Sequence, residues 1–207
     1  MNLTSEQMDA LQELGNIGAA HAATTLSTML NTSIEMNVPE ISVIDLSRIH
    51  EYISDEIAAM VLFRIDGELS PGGYLLLHVP VESAIRLVNV MLGEHDMNRA
   101  MNEMDRSALL EIGNIMVSAF LDATAGLLNT VMIPSPPDLV IDMPHAALQV
   151  IITSQLEENG NNVVLFRTEL KSSEYALASN LLLLPNPPVL KDMIHKLERL
   201  LSNTSQR

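Results

Sequence analysis

The chain has 207 residues, 47% of them hydrophobic, which is enough to bury a substantial core in one domain or in two small packed halves. Its 26 acidic residues outweigh 11 basic ones to give a formal net charge of −15, and without a local cluster of Lys or Arg this charge repels nucleic acids. The lack of cysteine excludes disulfides, thiolate nucleophiles and thiolate metal ligands.

The N-terminal segment lacks the features of an export signal, because residues 1–7 contain neither a cationic stretch nor an apolar one. We also expect no apolar run long enough to span a bilayer. The sequence therefore predicts a soluble, cytoplasmic protein with no membrane insertion. Its acidity has three open explanations: a surface charged for solubility, a salty cell interior, or a basic partner.

A long helix is predicted first, over Glu6–Leu30, where Ala, Leu and Met are frequent and proline is absent. Thr4 and Gln7 have the spacing of a capping box at its start, and Asn31 suits a left-handed C-cap at its end. A short apolar strand, Ile41–Asp45, follows the next proline.

Two longer strands come next, Ile57–Asp66 and Leu69–Val79, and the polar break between them is typical of an antiparallel hairpin. Residues 71–73, with the sequence Pro-Gly-Gly, predict a bulge or kink in the second of these strands. A helix, Val81–Leu92, closes this half behind a proline. The charged, weakly patterned residues 93–101 are interpreted as a linker.

The second half repeats this order of elements. Asn102 and Asp105 precede a second long helix, which ends at about Leu128. The remaining predicted elements are the strands Leu139–Asp142, Leu148–Leu156, Val163–Leu170 and Tyr175–Leu184 and the helix Val189–Leu201. Strands joined as hairpins and bracketed by helices predict an α+β fold with mainly antiparallel sheets.

The two halves are related by an internal duplication. An ungapped shift of 98 residues aligns residues 3–39 with 101–137 and matches ten positions. The similarity continues at a larger offset, since Val61–Arg64 reappears as Val164–Arg167. We therefore predict a single domain, residues 1–207, with three parts: repeat 1 (1–92), the linker (93–101) and repeat 2 (102–207).

One polar motif occurs in both halves, with Asp or Ser, Glu, Asn and Pro separated by three, two and 22 residues. On a helix the first three positions form one stripe, which can face solvent while the neighbouring Leu and Ile side chains pack on the sheet. We interpret the prolines as structural residues that lie between each long helix and the strand that follows it. The motif positions are Asp9, Glu13, Asn16 and Pro39 in the first copy and Ser107, Glu111, Asn114 and Pro137 in the second.

A glycine lies beside each stripe in the middle of its helix. Gly15 and Gly113 each cost roughly 1 kcal/mol relative to alanine, which indicates that something approaches the helix closely there. For one isolated copy, a solvated helix face is the simplest explanation of the motif. Duplication weakens that explanation, because neighbours such as Gly18 and Met116 have diverged. A recent duplication, or an Asn that caps local backbone, is the remaining structural alternative.

Glu and Asn together have a limited chemistry. With no histidine alongside, the motif forms neither a catalytic triad nor a metal site, and the six histidines of the chain lack ligand spacing. An asparagine amide donates and accepts hydrogen bonds, which suits positioning a water for in-line attack on a phosphoryl group. A nearby carboxylate can pair with a lysine of a partner. Such a site needs the metal and the phosphoryl group to arrive with the partner.

The double motif, embedded in Glu-Leu-Gly-Asn-Ile-Gly and Glu-Ile-Gly-Asn-Ile-Met, closely resembles the CheC family of chemotaxis phosphatases, over essentially the whole chain. This resemblance implies the CheC-like α+β fold with internal pseudo-twofold symmetry. It also implies hydrolysis of the phospho-aspartate of the response regulator CheY by two acting pairs, Glu13 with Asn16 and Glu111 with Asn114.

The resemblance further implies a role for each group. The Asn positions the hydrolytic water, the Glu engages a lysine of the regulator, and the regulator supplies Mg²⁺, so we expect no cofactor bound by this chain. The implied partners are phosphorylated CheY and the receptor deamidase CheD. The alternative is a non-catalytic interaction module that binds CheD or serves as a scaffold in the flagellar switch or in adaptation. The accessory positions of the motif are Asp9, Ser107, Gly15, Gly113, Pro39 and Pro137.

Overall fold

The computed structural model describes residues 3–37, 40–45, 48, 51–53, 55–68, 72–144, 148, 162–172, 175 and 177–204. The first half contains α1 (Ser5–Leu30), β1 (Glu35–Met36), β2 (Glu40–Asp45), β3 (Ala58–Gly67), β4 (Gly73–Pro80) and α2 (Val81–Leu92). The second half contains α3 (Glu103–Leu128), β5 (Met132–Pro134), β6 (Asp138–Asp142), β7 (Asn162–Ser172), β8 (Leu177–Pro185) and α4 (Pro187–Thr204). The predicted α+β class and duplicated order of elements are confirmed.

The two long helices begin and end with the predicted caps. On α1 the Thr4 hydroxyl accepts a hydrogen bond from the Gln7 N–H, and Gln7 Oε1 accepts one from the Thr4 N–H. Asn102 and Asp105 form the same reciprocal pair at the start of α3. Such caps satisfy backbone groups that have no partner within the helix. The left-handed residues that follow the helices are Asn31 (φ 50°) and Asn129 (φ 47°).

The strands form one antiparallel sheet in the order β1-β7-β8-β4-β3-β5, with β2 also paired to β7 and β6 to β3. β4 and β8 lie side by side at its centre, with Leu76 opposite Leu182. The short strands of each half pair with the hairpin of the other half, so that β1 and β2 join β7 while β5 and β6 join β3. This exchange gives the sheet the predicted pseudo-twofold symmetry.

The sheet separates two hydrophobic clusters. Along β4 the side chains alternate between its faces, so that Leu75 and Leu77 contribute to the main core and Leu76 to a smaller second cluster. The main core lies between the sheet and the helices and contains buried side chains from both halves. These include Leu11, Leu26, Val61, Ile112, Phe120, Phe166 and Leu190.

The two long helices approach each other closely at Gly18. A Cβ atom placed on this residue would lie 2.7 Å from the Phe120 ring, whose side chain is itself buried in the core. Glycine is therefore required at this point because the ring occupies the space of a side chain.

The segment before α3 is fixed by Arg99. Its Nη1 donates to Asp105 Oδ2 at 2.5 Å, and its Nη2 donates to Asp105 Oδ1 at 2.9 Å and to Asn89 Oδ1 at 2.7 Å. The Asp105 side chain is 1% exposed. The guanidinium holds the pKa of this carboxyl below its usual range, with a further contribution from the Asn102 N–H. The residues predicted as a linker thus carry the cation that neutralises a buried carboxylate.

Some predicted boundaries differ from the structure. β1 and β5 were not predicted, because strands of two and three residues carry no detectable alternation. Leu148, placed at the start of a predicted strand, has helical backbone instead, and residues 149–156 of that strand lie outside the described part. Residues 71–73 were predicted to form a bulge or kink inside the second strand, but β4 begins only at Gly73, whose φ is 115°, and Pro71 is outside the described residues.

α3 corrects one expectation about hydrophobic length. By length and composition alone, Glu103–Leu128 is apolar enough to cross a membrane, although we expected no such run. More than half of its most apolar stretch is buried inside the protein. Its hydrophobicity is therefore that of a helix packed on several sides in the core.

Candidate functional site

The polar stripes of the two motifs lie on the surface, as predicted. Glu13 is exposed and Asn16 half-buried on α1, and Glu111 and Asn114 are both exposed on α3. Buried residues between these positions hold the helices against the core and so orient the stripes outward. They are Leu11 and Leu14 on α1 and Leu109 and Ile112 on α3.

The four paired side chains make no structural contacts of their own among the described residues. Glu13, Asn16, Glu111 and Asn114 have no hydrogen-bond or ion-pair partner in that part of the chain. A polar group that stabilised the fold would be expected to bond to backbone or to a neighbouring side chain. The arrangement therefore leaves a carboxylate and an amide, one helical turn apart, free to meet another molecule.

The two asparagines are presented differently. Asn16 Oδ1 is buried and has no hydrogen-bond partner in the part of the chain that the structure describes, whereas Asn114 is exposed. A buried acceptor without a partner is unfavourable by about 1–3 kcal/mol. The first amide is therefore more constrained by its surroundings than the second, a difference that the identical motif spacing does not predict.

Gly113, the motif glycine of the second copy, packs against the protein's own sheet. A Cβ atom on Gly113 would lie 3.0 Å from Val61 Cγ1 and 3.4 Å from Phe63 Cζ, both on β3. Gly15 is buried on the corresponding side of α1. The sequence predicted that another group lies close to the helix at these glycines. At Gly113 this group is strand β3 of the same chain. These residues position the helix and leave the polar stripe to form the outer face.

Some of the accessory positions have structural roles, whereas Asp9 shows none in the described part of the chain. The Ser107 hydroxyl donates to the Glu103 carbonyl at 3.0 Å within α3, while Asp9 is exposed. Pro137 directly precedes β6, in the place expected for a residue between helix and strand. Pro39 lies outside the described residues.

The described residues contain no group of three or more His, Asp or Glu side chains arranged to hold a metal ion. Each motif pair supplies one carboxylate, and the pairs lie on separate helices. Each pair offers one carboxylate and one amide, which can dock a cation and position a water.

Sequence reasoning missed a cleft at the start of α1. The cleft lies where α4 packs against α1 and has a volume of about 330 Å³. Gln7 Nε2 donates to Glu198 Oε1 at 3.0 Å across it. No local motif marks this place, because the two residues are 191 positions apart.

A model of the CheC-like family matches residues 6–43 and 104–141 of the chain. The CheY-P phosphatase CheC of Bacillus subtilis (strain 168) is 28% identical over 191 residues, which cover 89% of this chain and 90% of that protein. Both segments matched by the family model contain the Glu and the Asn of one polar pair.

Solved structures share the fold. FliY of Thermotoga maritima superposes with a TM-score of 0.76 at 21% identity, covering 96% of this chain and 99% of that one. A chain in the CheX-CheY-BeF3-Mg²⁺ complex of Borrelia burgdorferi gives a TM-score of 0.53 at 16% identity, covering 82% of this chain and 96% of that one. At these identities the likeness concerns the fold alone.

Proposed function

We propose that the chain is a CheC-like phosphatase that hydrolyses the phospho-aspartate of the chemotaxis response regulator CheY, since two of its segments match the model of that family. A single observation carries this proposal: two Glu and Asn pairs are held on the surface of rigid helices with no hydrogen-bond partner among the described residues. The name of the Bacillus subtilis relative, CheY-P phosphatase CheC, supports the same substrate.

Each amide positions the attacking water. Asn114 can accept a hydrogen bond from a water and donate one to a phosphoryl oxygen, which aligns the water with the phosphorus atom. Asn16 can do the same once its side chain rotates to bring the buried Oδ1 to the surface. The water oxygen forms a bond to phosphorus while the bond from phosphorus to the aspartyl oxygen breaks. The products are inorganic phosphate and the free aspartate carboxylate, with no covalent intermediate on this chain.

Each carboxylate docks the substrate. Glu13 and Glu111 precede their asparagines by one helical turn. Each can pair with a lysine of the regulator beside the phosphorylated aspartate, which places the amide of the asparagine next to the phosphoryl group. The regulator supplies Mg²⁺, which neutralises charge on the transferring phosphoryl group. In this mechanism the phosphatase itself provides no metal ligands.

The test is the decay rate of phosphorylated CheY in the presence of the parent chain, Asn16→Ala, Asn114→Ala and the double variant. We expect the double variant to lose about 10²- to 10³-fold in rate, the effect of removing a positioned hydrogen-bond donor from a reaction site. Circular dichroism serves as the folding control, because neither side chain bonds to the described structure. A double variant as active as the parent would refute the catalytic role.

The two single variants separate the contributions of the two pairs. Loss of activity in only one of them would identify the other pair as inactive. A folded parent chain with no effect on phosphorylated CheY would instead favour the interaction module, and binding to CheD would then be measured with the same proteins.

A further inference from the structure

The cleft at the start of α1 is acidic and open to solvent. Its lining includes Glu6, Gln7 and Ala10 of α1 and Ile194, Glu198 and Leu201 of α4. Glu6 and Glu198 are both exposed, and neither has a cationic partner among the described residues. The cleft therefore combines two available carboxylates with an apolar wall.

The other half of the molecule shows what the equivalent place binds. There α2 packs against the start of α3, as α4 packs against α1. The shift of 98 residues places Asp105 where α1 has Gln7, and both residues close the capping box of their helix. Arg99 fills the space between α2 and α3, with its guanidinium bonded to Asp105 and Asn89. In that half the junction between helices is a guanidinium site.

The first half also has one amide and one carboxylate at its junction, but each is on the other type of helix. In the second half the carboxylate is on the long helix and the amide of Asn89 is on α2. In the first half the amide of Gln7 is on the long helix and the carboxylate of Glu198 is on α4, 3.0 Å away. By the same shift Met1 corresponds to Arg99, and its side chain carries no guanidinium.

The cleft also adjoins the first polar pair. Glu6 and Glu13 are on α1, two helical turns and about 10 Å apart, on the same side of the helix. A protein that docks across Glu13 and Asn16 thus extends over the cleft with little further contact area. The corresponding junction beside the second pair is closed, since Arg99 already occupies it.

We propose that this cleft binds an arginine side chain of the protein that docks on the first polar pair. The inference rests on the proposed function, since it takes that protein to be CheY. Glu6 and Glu198 accept hydrogen bonds from the guanidinium, while Ile194 and Leu201 cover the aliphatic part of the side chain. The first site therefore holds its substrate at two points and the second site at one.

The test measures binding and turnover separately, in a chain whose second pair is removed by Glu111→Ala and Asn114→Ala. The test variant adds Glu6→Gln and Glu198→Gln, which remove both charges but keep an oxygen to accept from Gln7. The control variant adds Glu103→Gln, an exposed carboxylate in the first turn of α3. The Kd is measured for CheY loaded with Mg²⁺ and beryllofluoride, and kcat for phosphorylated CheY.

We expect the test variant to raise the Kd by about three- to tenfold, the effect of two partly exposed ion pairs, with kcat unchanged. The control variant should bind like its parent. The arginines of CheY are then replaced by alanine one at a time. One of these replacements should raise the Kd for the parent by a similar factor and have no further effect on the Kd for the test variant. Such a result would show energetic coupling between that arginine and the carboxylates of the cleft.

Three results would overturn the inference or separate it from the proposed function. An unchanged Kd in the test variant would show that the cleft does not contact CheY. A raised Kd that couples to no arginine of CheY would show that the cleft binds another group. A raised and coupled Kd, together with a chain that shows no phosphatase activity even with both pairs intact, would keep the cleft as a docking site while refuting the proposed function.

Discussion

His78 illustrates how one buried side chain makes stability depend on pH. It is 1% exposed on β4, and neither ring nitrogen has a hydrogen-bond partner among the described residues. Burial lowers the pKa of His78 to about 4, because the charged ring loses its hydration inside the protein. The folded protein therefore holds this histidine neutral under conditions in which the unfolded chain protonates it.

We expect the free energy of unfolding to fall as the pH is lowered from about 6.5 toward 4. In this window the unfolded state binds a proton that the folded state excludes, which costs about 2 kcal/mol by pH 5. The measurement is urea unfolding at pH 7 and pH 5, with His78→Met as the variant that cannot titrate. Asp105 and Glu169 have lowered pKa values and destabilise the fold only at still lower pH. An equal loss in the variant would contradict this explanation.

The site residues show what local sequence can and cannot predict. The exposure of Glu13, Glu111 and Asn114 follows from helical periodicity, which places them opposite the core positions of the same helix. The burial of Asn16 Oδ1 does not follow, because Asn114 has the same motif position and the same spacing but is exposed. Pairs such as Gln7 and Glu198 are also invisible to local patterns, since they meet only in the folded chain.

At the scale of elements, the packing of α1 on α3 depends on the absence of a side chain at Gly18. A methyl group there would lie 2.7 Å from the buried Phe120 ring, so the ring or the helix must shift. Overpacking of this kind costs about 1–3 kcal/mol, which exceeds the roughly 1 kcal/mol that alanine contributes to helix formation. The close contact between the helices is therefore specified by this residue.

We expect Gly18→Ala to lower the free energy of unfolding by up to about 2 kcal/mol, the packing cost less the gain in helix propensity. Gly126→Ala is the matched control, because a Cβ atom there meets nothing within 4 Å and the change should stabilise α3 by up to about 1 kcal/mol. Thermal unfolding of the two variants measures both effects. Equal shifts of Tm in the same direction would refute the packing explanation.

The elements differ in how well the sequence predicts them. The helices and their caps were predicted because capping residues such as Thr4 and Asn102 act within one turn. β1 and β5 were missed because their definition comes from partners on β7 and β3, far away in sequence. Residue patterns thus indicate the class of each long element, whereas the sheet order depends on pairings that no local pattern encodes.

At the scale of the whole molecule, neither half possesses a complete sheet. β2 pairs with β7 of the second half, β6 pairs with β3 of the first, and β4 and β8 join the two hairpins. The main core also draws buried side chains from both halves. We infer that the repeats fold as one cooperative unit.

We expect fragments 1–93 and 94–207, produced separately, to show no cooperative thermal unfolding. An equimolar mixture should recover it, because the exchanged strands then find their partners and the main core can close. Circular dichroism during heating makes the comparison. The division after Gly93 keeps Arg99 with Asp105 in one fragment. Cooperative unfolding by either fragment alone would show that a half is an independent domain.

The exchanged strands also determine when the protein can fold during its synthesis. β2 consists of residues 40–45, but its partner β7 ends only at residue 172. While the ribosome makes the intervening chain, the first half exposes strand edges that are prone to pair with other chains. Native closure of the sheet must follow the emergence of β7, so a delay in translation between the two strands extends the period in which the nascent chain is vulnerable to aggregation.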